Sequence, residues 1–228
     1  MYHYIEDKEF LKRMKSLCSN IVNQLVQSIN NDSVMAVEAH LVGSGARNLI
    51  TQNANEPIDL DYNLCVIEVL EISFNNGQAI KEHIRKHFNK VLNQNGWGDC
   101  KDSTSAWTTE YRHFTKGNKT EFKIDLAIVR ESRYGLERLI HSKTGIVSLD
   151  QWYWNQAQNS NGLADKVSKI KSENLWLEVR DLYLDKKNMY LRCGDIDNHP
   201  SFNVYIETIN EIYSRHFNKN TYYIYPFY

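Results

Sequence analysis

Three aspartates lie inside apolar segments whose two-residue alternation predicts β-strands, where aspartate is otherwise disfavoured. Asp59 and Asp61 are two residues apart, so both carboxylates leave the same strand face, about 7 Å apart along the backbone. Asp125 lies on a second strand of the same kind. Like charges this close repel each other unless a cation lies between them, and carboxylate oxygens favour Mg²⁺ or Mn²⁺. The trio therefore predicts a metal site suited to phosphoryl or nucleotidyl transfer; for any one aspartate alone, a solvated sheet face is the alternative.

A glycine–serine turn, Gly43-Ser44-Gly45, precedes the first two aspartates in the chain. Backbone N–H groups at the start of a helix bind phosphate, and glycine lets the ligand approach closely. We therefore expect the three residues of the turn to bind the phosphates of a nucleotide. The turn is not a dinucleotide fingerprint, because Asn48 stands where the third glycine is needed, and it lacks the ending of a Walker loop.

Three basic side chains are candidates for contact with the same phosphates. Arg47 lies one turn into the short helix predicted after the glycine turn, where it reaches a phosphate or pairs with Glu56 on the surface. Lys166 and Lys169 lie on one side of a predicted helix and reach a triphosphate from a helical cap. An exposed basic helix face is an equally good interpretation of the two lysines.

Two histidines, His83 and His87, are four residues apart on a predicted helix, a spacing that metal ions accept. The glutamate of the zinc protease motif is absent. The neighbouring positions are basic, which disfavours cation binding: Lys81, Arg85, Lys86 and Lys90. The pattern predicts a solvated basic face.

The elements that position these residues follow from the periodicity of the apolar side chains. Helices are predicted over residues 5–29, 46–52, 77–95, 151–158, 163–171, 174–190 and 202–217. Strands are predicted over residues 34–42, 58–67, 105–115 and 120–129. This order predicts an α+β fold, a small mixed β-sheet with flanking helices over residues 1–145, followed by a helical C-terminal domain over residues 146–228.

Composition excludes several classes of protein. The 228 residues include 27 Lys and Arg and 28 Asp and Glu, a formal charge of −1, so the chain is neither a generally basic nucleic-acid coat nor an acidic tail. The four cysteines form no CxxC pair, and no apolar run reaches the length of a signal peptide core or a membrane span. We expect a soluble cytoplasmic protein with reduced thiols. The aromatic end, residues 222–228, predicts docking against the body of the protein or a second subunit, as in a homodimer.

Three motifs in this order resemble the DNA polymerase β-like nucleotidyltransferase superfamily: Leu41-Val42-Gly43-Ser44, then Ile58-Asp59-Leu60-Asp61-Tyr62, then Lys123-Ile124-Asp125-Leu126. The superfamily carries a hydrophobic residue plus Gly-Ser or Gly-Gly, a short helix, an Asp-x-Asp strand and a later strand carboxylate, and a helical domain usually follows. The resemblance spans about residues 34–130. The 14 residues between Ser44 and Asp59 are more than usual, which predicts an extra loop over residues 53–57.

The resemblance implies an enzyme that transfers a nucleoside monophosphate from a nucleoside triphosphate, ATP by preference, to an acceptor hydroxyl. It assigns Mg²⁺ or Mn²⁺ to Asp59, Asp61 and Asp125, with Asp125 also accepting the hydroxyl proton. A small acceptor such as an antibiotic fits the short, neutral chain. Open alternatives are a nucleic-acid end, a protein side chain, a catalytically idle nucleotide-binding module, and a phosphate-binding hydrolase with a similar metal site.

Overall fold

The computed structural model describes residues 1–157, 162–195 and 198–217, which divide into two compact units. The first unit is Ile5–Ala157. The second consists of Met1–Tyr4 and the described residues from 162 onward. The aromatic end of the chain, residues 222–228, lies outside the described residues, so its predicted docking stays a prediction. None of the described helices is long and apolar enough to cross a membrane.

Seven of the described strands form one mixed sheet in the first unit. The strands are, in chain order, β1 (Tyr2–Tyr4), β2 (Met35–Leu41), β3 (Thr51–Asn53), β4 (Ile58–Val69), β5 (Lys101–Asp102), β6 (Trp107–Thr108), β7 (Phe122–Ser132), β8 (Gly135–Ser142) and β9 (Gln151–Gln156). The sheet order is β2-β4-β7-β6-β5, with β8 pairing to β7 and β9 to β8. β4 and β7 are parallel, and the other pairs in this sheet are antiparallel.

Helices of the first unit cover one face of this sheet. The described helices are α1 (Lys8–Asn30), α2 (Gly43–Arg47), α3 (Gly77–Gln94), α4 (Leu163–Ser172), α5 (Trp176–Arg192) and α6 (Ser201–Phe217). α1 begins at Lys8 because the Asp7 carboxylate accepts the Phe10 N–H at 2.9 Å, and Asn76 caps α3 in the same way. The apolar faces of α1 and α3 pack on the sheet and form one core with it.

Strict alternation in β4 and β7 places the aspartates on the face opposite the helices. Ile58, Leu60, Ile124 and Leu126 are at most 3% exposed and contribute to the core under α1 and α3. The odd-numbered residues between them leave the other face, because successive strand residues point to opposite sides. The predicted α+β fold, with a mixed sheet and flanking helices, is confirmed.

Three predicted elements differ from the structure. The strand predicted over residues 105–115 is present only as β6, Trp107–Thr108, with an isolated bridge at Arg112. Residues 151–158 are predicted as helix, but Gln151–Gln156 form β9, because Trp152 and Trp154 alternate with polar residues and extend the sheet beside β8. The sheet therefore continues past residue 145. The helix predicted over 46–52 instead begins at Gly43 and ends at Arg47, since Asn48 adopts a left-handed conformation with φ 56°. β3 follows it.

The second unit is built from α4, α5 and α6 as predicted from their helical periods. Its core includes Ile170, Val179 and Ile209, each fully buried. Within this unit the N-terminal β1 docks on α5, where the Tyr4 hydroxyl donates to the Arg180 carbonyl at 2.7 Å.

Candidate active site

The parallel register of β4 and β7 brings the three predicted aspartates together. Asp61 lies directly opposite Asp125, and Asp59 lies opposite Lys123. All four side chains leave the sheet face that the helices do not cover. The structure thus gathers on one patch three carboxylates that the sequence places on two separate strands.

Burial and neighbouring charges disturb the ionisation of Asp61 and Asp59. Burial is the largest cause, followed by the charges of Asp125 and Asp59, and together they raise the pKa of Asp61 to about 6. The pKa of Asp59 is raised as well, by burial first, and Lys123 opposes this change. Two cations, Arg138 and Lys123, oppose these causes at Asp61 without cancelling them.

Lys123, which the sequence analysis does not assign to the site, lies between two of the aspartates. Its Nζ is 3.3 Å from Asp125 Oδ2 and 3.6 Å from Asp59 Oδ1, and its side chain is only 16% exposed. Burial disfavours the ammonium, but Asp125 and Asp59 outweigh this effect and raise the pKa of Lys123. The lysine is a fixed positive charge at the centre of the carboxylate patch.

Thr108 holds Asp125 from the other side. It lies opposite Asp125 in the β6–β7 pair, and its hydroxyl donates to Asp125 Oδ1 at 2.6 Å. Both residues lie in predicted strands, 105–115 and 120–129, but only the register of the structure identifies Thr108 as the partner. The hydrogen bond fixes one oxygen of Asp125 and leaves the other beside Lys123.

The glycine turn lies directly against Asp61. Gly43 has φ 62°, and a Cβ atom there would collide with Asp61 Oδ2, so only glycine fits without a shift. The Val42 N–H donates to the Asp61 carbonyl at 2.8 Å, which ties the turn to β4. The Ser44 hydroxyl, next in the chain, makes no hydrogen bond to any residue in the described ranges.

Gly45 packs against the neighbouring strands, and Arg47 ends α2. A Cβ at Gly45 would press on Leu60 and Leu41 at 3.0 and 3.1 Å, so this glycine allows α2 to pack closely on the strands. The Gly45 carbonyl accepts from Lys15 at 2.6 Å. Arg47 is the last residue of α2, and its predicted role in phosphate binding stays a prediction.

Lys166 and Lys169 belong to the second unit, where both contact α6. Lys166 Nζ donates to Asn210 Oδ1 at 2.7 Å, and Lys169 Nζ lies 4.4 Å from the centre of the Phe217 ring. Their predicted contact with a triphosphate stays a prediction.

Two further polar atoms on the first unit were not predicted from the sequence. Asn63 Oδ1 and Arg138 Nε are buried, and neither has a hydrogen-bond partner among the residues that the structure describes. Asn63 shares the strand face of Asp61, and the Arg138 charge acts on Asp61. Buried polar atoms are nearly always paired, so these two atoms lack the partner that such atoms usually have. Arg138 escapes a sequence search because β8 itself is not predicted.

The predicted solvated face at His83 and His87 is wrong. Their side chains are 17% and 14% exposed, and both face Asp32 in the turn after α1. Asp32 is about fifty residues earlier in the chain, so the sequence gives no sign of this contact.

The donor set at the aspartates fits a hard divalent cation. Carboxylate oxygens are the ligands that Mg²⁺ and Mn²⁺ prefer, and three of them share one sheet face here. Burial first, and then the neighbouring carboxylates, raise the pKa of Asp61, and a bound cation would favour its charged form. Asp59, Asp61 and Asp125 are therefore the residues suited to hold such an ion.

Comparison with known proteins finds solved structures with a similar fold. No family model and no curated protein matches the chain. Vibrio cholerae DncV cyclic AMP-GMP synthase in complex with linear intermediate 5' pppA(3',5')pG matches with a TM-score of 0.55 and 8% identity over 80% of this chain and 62% of that one. Its 3'-deoxy GTP bound form matches with a TM-score of 0.53 and 8% identity over 78% and 59%.

A third match is Elizabethkingia meningoseptica CdnE cyclic dinucleotide synthase with GTP and Apcpp, with a TM-score of 0.49 and 12% identity over 84% of this chain and 68% of that one. The chain thus spans about 60% of the length of the two DncV chains. At such identities a likeness establishes the fold. The chain shares the fold of the two DncV structures.

Proposed function

We propose that the protein is a metal-dependent nucleotidyltransferase that transfers a nucleoside monophosphate from a nucleoside triphosphate to the hydroxyl of a small acceptor and releases pyrophosphate. The single observation that carries the proposal is Asp61 opposite Asp125 on one sheet face, with Gly43 packed against Asp61. An idle nucleotide-binding module has no need of three crowded carboxylates, whose mutual repulsion costs stability.

Each residue of the patch has a task in this reaction. Asp59, Asp61 and Asp125 would hold Mg²⁺ or Mn²⁺, which neutralises the phosphates and the charge that develops during transfer. Asp125, oriented by Thr108, accepts the proton of the acceptor hydroxyl while its oxygen attacks the α-phosphorus. The bond from the α-phosphorus to the bridging oxygen breaks, and pyrophosphate leaves with that electron pair.

The triphosphate is held by the turn beside Asp61. The Ser44 hydroxyl and the Gly43 backbone contact its β- and γ-phosphates in our proposal, and Arg138 adds positive charge on the same side of the sheet. Arg47, Lys166 and Lys169 remain proposed contacts of the same group. ATP is the nucleotide that we propose to be preferred.

Two classes of acceptor are candidates, and the experiment below distinguishes them. A hydroxylated small molecule of the antibiotic type fits the short chain with its formal charge of −1. The likeness to DncV, whose structure holds a linear intermediate pppA(3',5')pG, favours a nucleotide 3'-hydroxyl as the second candidate. Both acceptors use the same chemistry at the α-phosphorus.

The experiment that tests the proposal uses nucleoside triphosphates labelled at the α-phosphate, with Mg²⁺ or Mn²⁺. Label that moves into a new product with nucleotides alone identifies a nucleotide acceptor. Label that moves only after a small-molecule extract is added identifies the other class. No transfer with any of the four nucleotides, in either condition, contradicts the proposed function. Asp61→Asn serves as the inactive control.

A further inference from the structure

A second cluster of metal-binding side chains lies in the helical layer, on the sheet face opposite the aspartates. His83 and His87 are four residues apart on α3, so both imidazoles leave the same side of the helix. Asp32, in the turn after α1, faces both: its Oδ2 is 2.9 Å from His83 Nε2 and 2.8 Å from His87 Nε2. The ligand atoms of the three residues all lie within 4.8 Å of one another. Two imidazoles and a carboxylate converge on one point.

Hydrogen bonding within the cluster does not account for His83. Its Nε2 is shielded from solvent, and no residue in the described ranges stands in hydrogen-bonding geometry with it, although Asp32 Oδ2 is close. Nitrogen atoms of this kind are nearly always paired when buried. The atom therefore points to a ligand that the protein itself does not supply.

Ser28 on α1 orients the other histidine. Its Oγ lies 2.8 Å from His87 Nδ1, which directs His87 Nε2 towards Asp32. Histidines that bind metal ions are usually held at their second nitrogen in this way, because the bond fixes the tautomer and the orientation of the ring. Ser28 thus supplies the outer contact that such a site requires.

The basic neighbours on α3 do not oppose a cation as strongly as their number suggests. Lys81 is paired with Asp102, and Arg85 with Glu82. Lys86 and Lys90 are exposed to solvent, where water and salt screen their charge. Asp32 adds a negative charge in direct contact with both histidines.

We propose that Asp32, His83 and His87 bind a divalent transition-metal ion, with zinc as the representative probe. Two imidazoles and one carboxylate suit zinc and its neighbours, whereas Mg²⁺ and Ca²⁺ sites are built from oxygen. Zinc bonds of about 2.0–2.1 Å place tetrahedral ligands about 3.3 Å apart, so the Asp32 oxygen needs to move by only about half an ångström from each histidine nitrogen. The fourth coordination position is open to water. The Asp32 side chain is 27% exposed, so an ion can reach the site from solvent.

Such an ion ties the turn after α1 to α3, two elements distant in sequence. Binding to the folded state alone raises the melting temperature by mass action, since the ligands come together only when α1 and α3 are packed. The proposal is independent of nucleotidyl transfer, and its readouts are metal content and thermal stability.

The test uses untagged protein in excess Mg²⁺, which keeps the aspartates on the other sheet face occupied. Zinc is titrated by equilibrium dialysis, and melting is followed with and without zinc. We expect one tightly bound zinc per chain and a higher melting temperature. His87→Gln should weaken zinc binding by about 100-fold or more, and Ser28→Ala by roughly tenfold, the range for loss of an outer contact. His40→Gln is the matched control. His40 is exposed and lies in a different cluster of possible metal ligands, together with Glu38 and Cys65.

Wild-type protein without tight zinc binding overturns the proposal. So does zinc binding by His87→Gln equal to that of the wild type, or loss of the zinc in His40→Gln. Circular dichroism checks that each variant is folded. If His87→Gln does not fold, Asp32→Asn gives the same decision, since its amide keeps the shape of the side chain but is a poor zinc ligand.

Discussion

Lys123 and Asp125 leave the same face of β7, and the lysine Nζ lies 3.3 Å from Asp125 Oδ2. The same nitrogen is 3.6 Å from Asp59 Oδ1, on the neighbouring strand. The protein thus places its own cation between two carboxylates that we propose as ligands of Mg²⁺. Lys123 and a metal ion compete for the same negative charge.

Replacing this lysine tests the competition. Lys123→Gln should raise the affinity of the nucleotide-free protein for Mn²⁺ by about tenfold, because one positive charge close to the ligands is removed. Titration followed by the paramagnetic signal of free Mn²⁺ measures this directly. Lys116→Gln, in the exposed loop before β7, is the control and should leave the affinity unchanged. A weaker affinity in Lys123→Gln would show that the lysine supports the metal instead.

The pKa of Asp61 gives a stability prediction with a definite sign. Its folded-state pKa of about 6 is above the ordinary value, so stability contributed by the protonated carboxyl is lost as the pH rises from about 4 through 6. Without metal, Asp61→Asn should therefore be more stable than the wild type at about pH 7.5, by on the order of 2 kcal/mol, and similar at about pH 4. Urea denaturation at the two pH values measures the difference. Equal stability of the two proteins at both pH values would mean that burial and the neighbouring carboxylates do not raise the pKa of Asp61.

Ser44→Ala tests the proposed contact between the Ser44 hydroxyl and the triphosphate. The variant should bind nucleoside triphosphate more weakly by about 1–2 kcal/mol, the value of a hydrogen bond to a charged group. Monophosphate binding should change little, since the β- and γ-phosphates are the proposed partners. Calorimetry with both nucleotides gives the comparison. Equal losses for the two nucleotides would contradict the assignment.

Asp125 and Thr108 are predicted to act on turnover rather than on binding. Asp125→Asn should lower turnover by about 10²–10⁴, as expected for loss of a general base, with nucleotide affinity within about tenfold of the wild type. Thr108→Val removes the hydrogen bond to Asp125 and keeps the shape, so it should lower turnover less and shift the pH profile. Steady-state rates across pH measure both. If Asp125→Asn loses nucleotide binding altogether, the residue is an essential shared ligand.

The part of the fold that follows from sequence is the part set by local burial. Alternation in β4 and β7 predicts that Asp59, Asp61 and Asp125 leave the polar face, because the other face must pack under the helices. The register that sets Asp61 opposite Asp125 arises from the crossover between two distant strands, and no local pattern encodes it. For the same reason Lys123 escapes prediction.

Other misses have the same origin. β9 is the exception: Trp152 and Trp154 are two residues apart and so share one face of a strand but not of a helix, and pairing with β8 agrees with this local pattern. Asp32 and His83 meet only once α1 packs beside α3. A local sequence pattern describes one helix or strand at a time, so it does not predict which residues of two different elements come into contact.

The most direct test of the account follows two labels in the same reaction, one on the α-phosphate and one on the γ-phosphate of the triphosphate. With Mg²⁺ and an acceptor, the wild-type protein should place the α-label in a new product and release the γ-label as pyrophosphate. Asp61→Asn and Asp125→Asn should do neither at a comparable rate. Release of the γ-label as orthophosphate, with the α-label left on a nucleoside diphosphate, would identify a hydrolase and contradict the central claim.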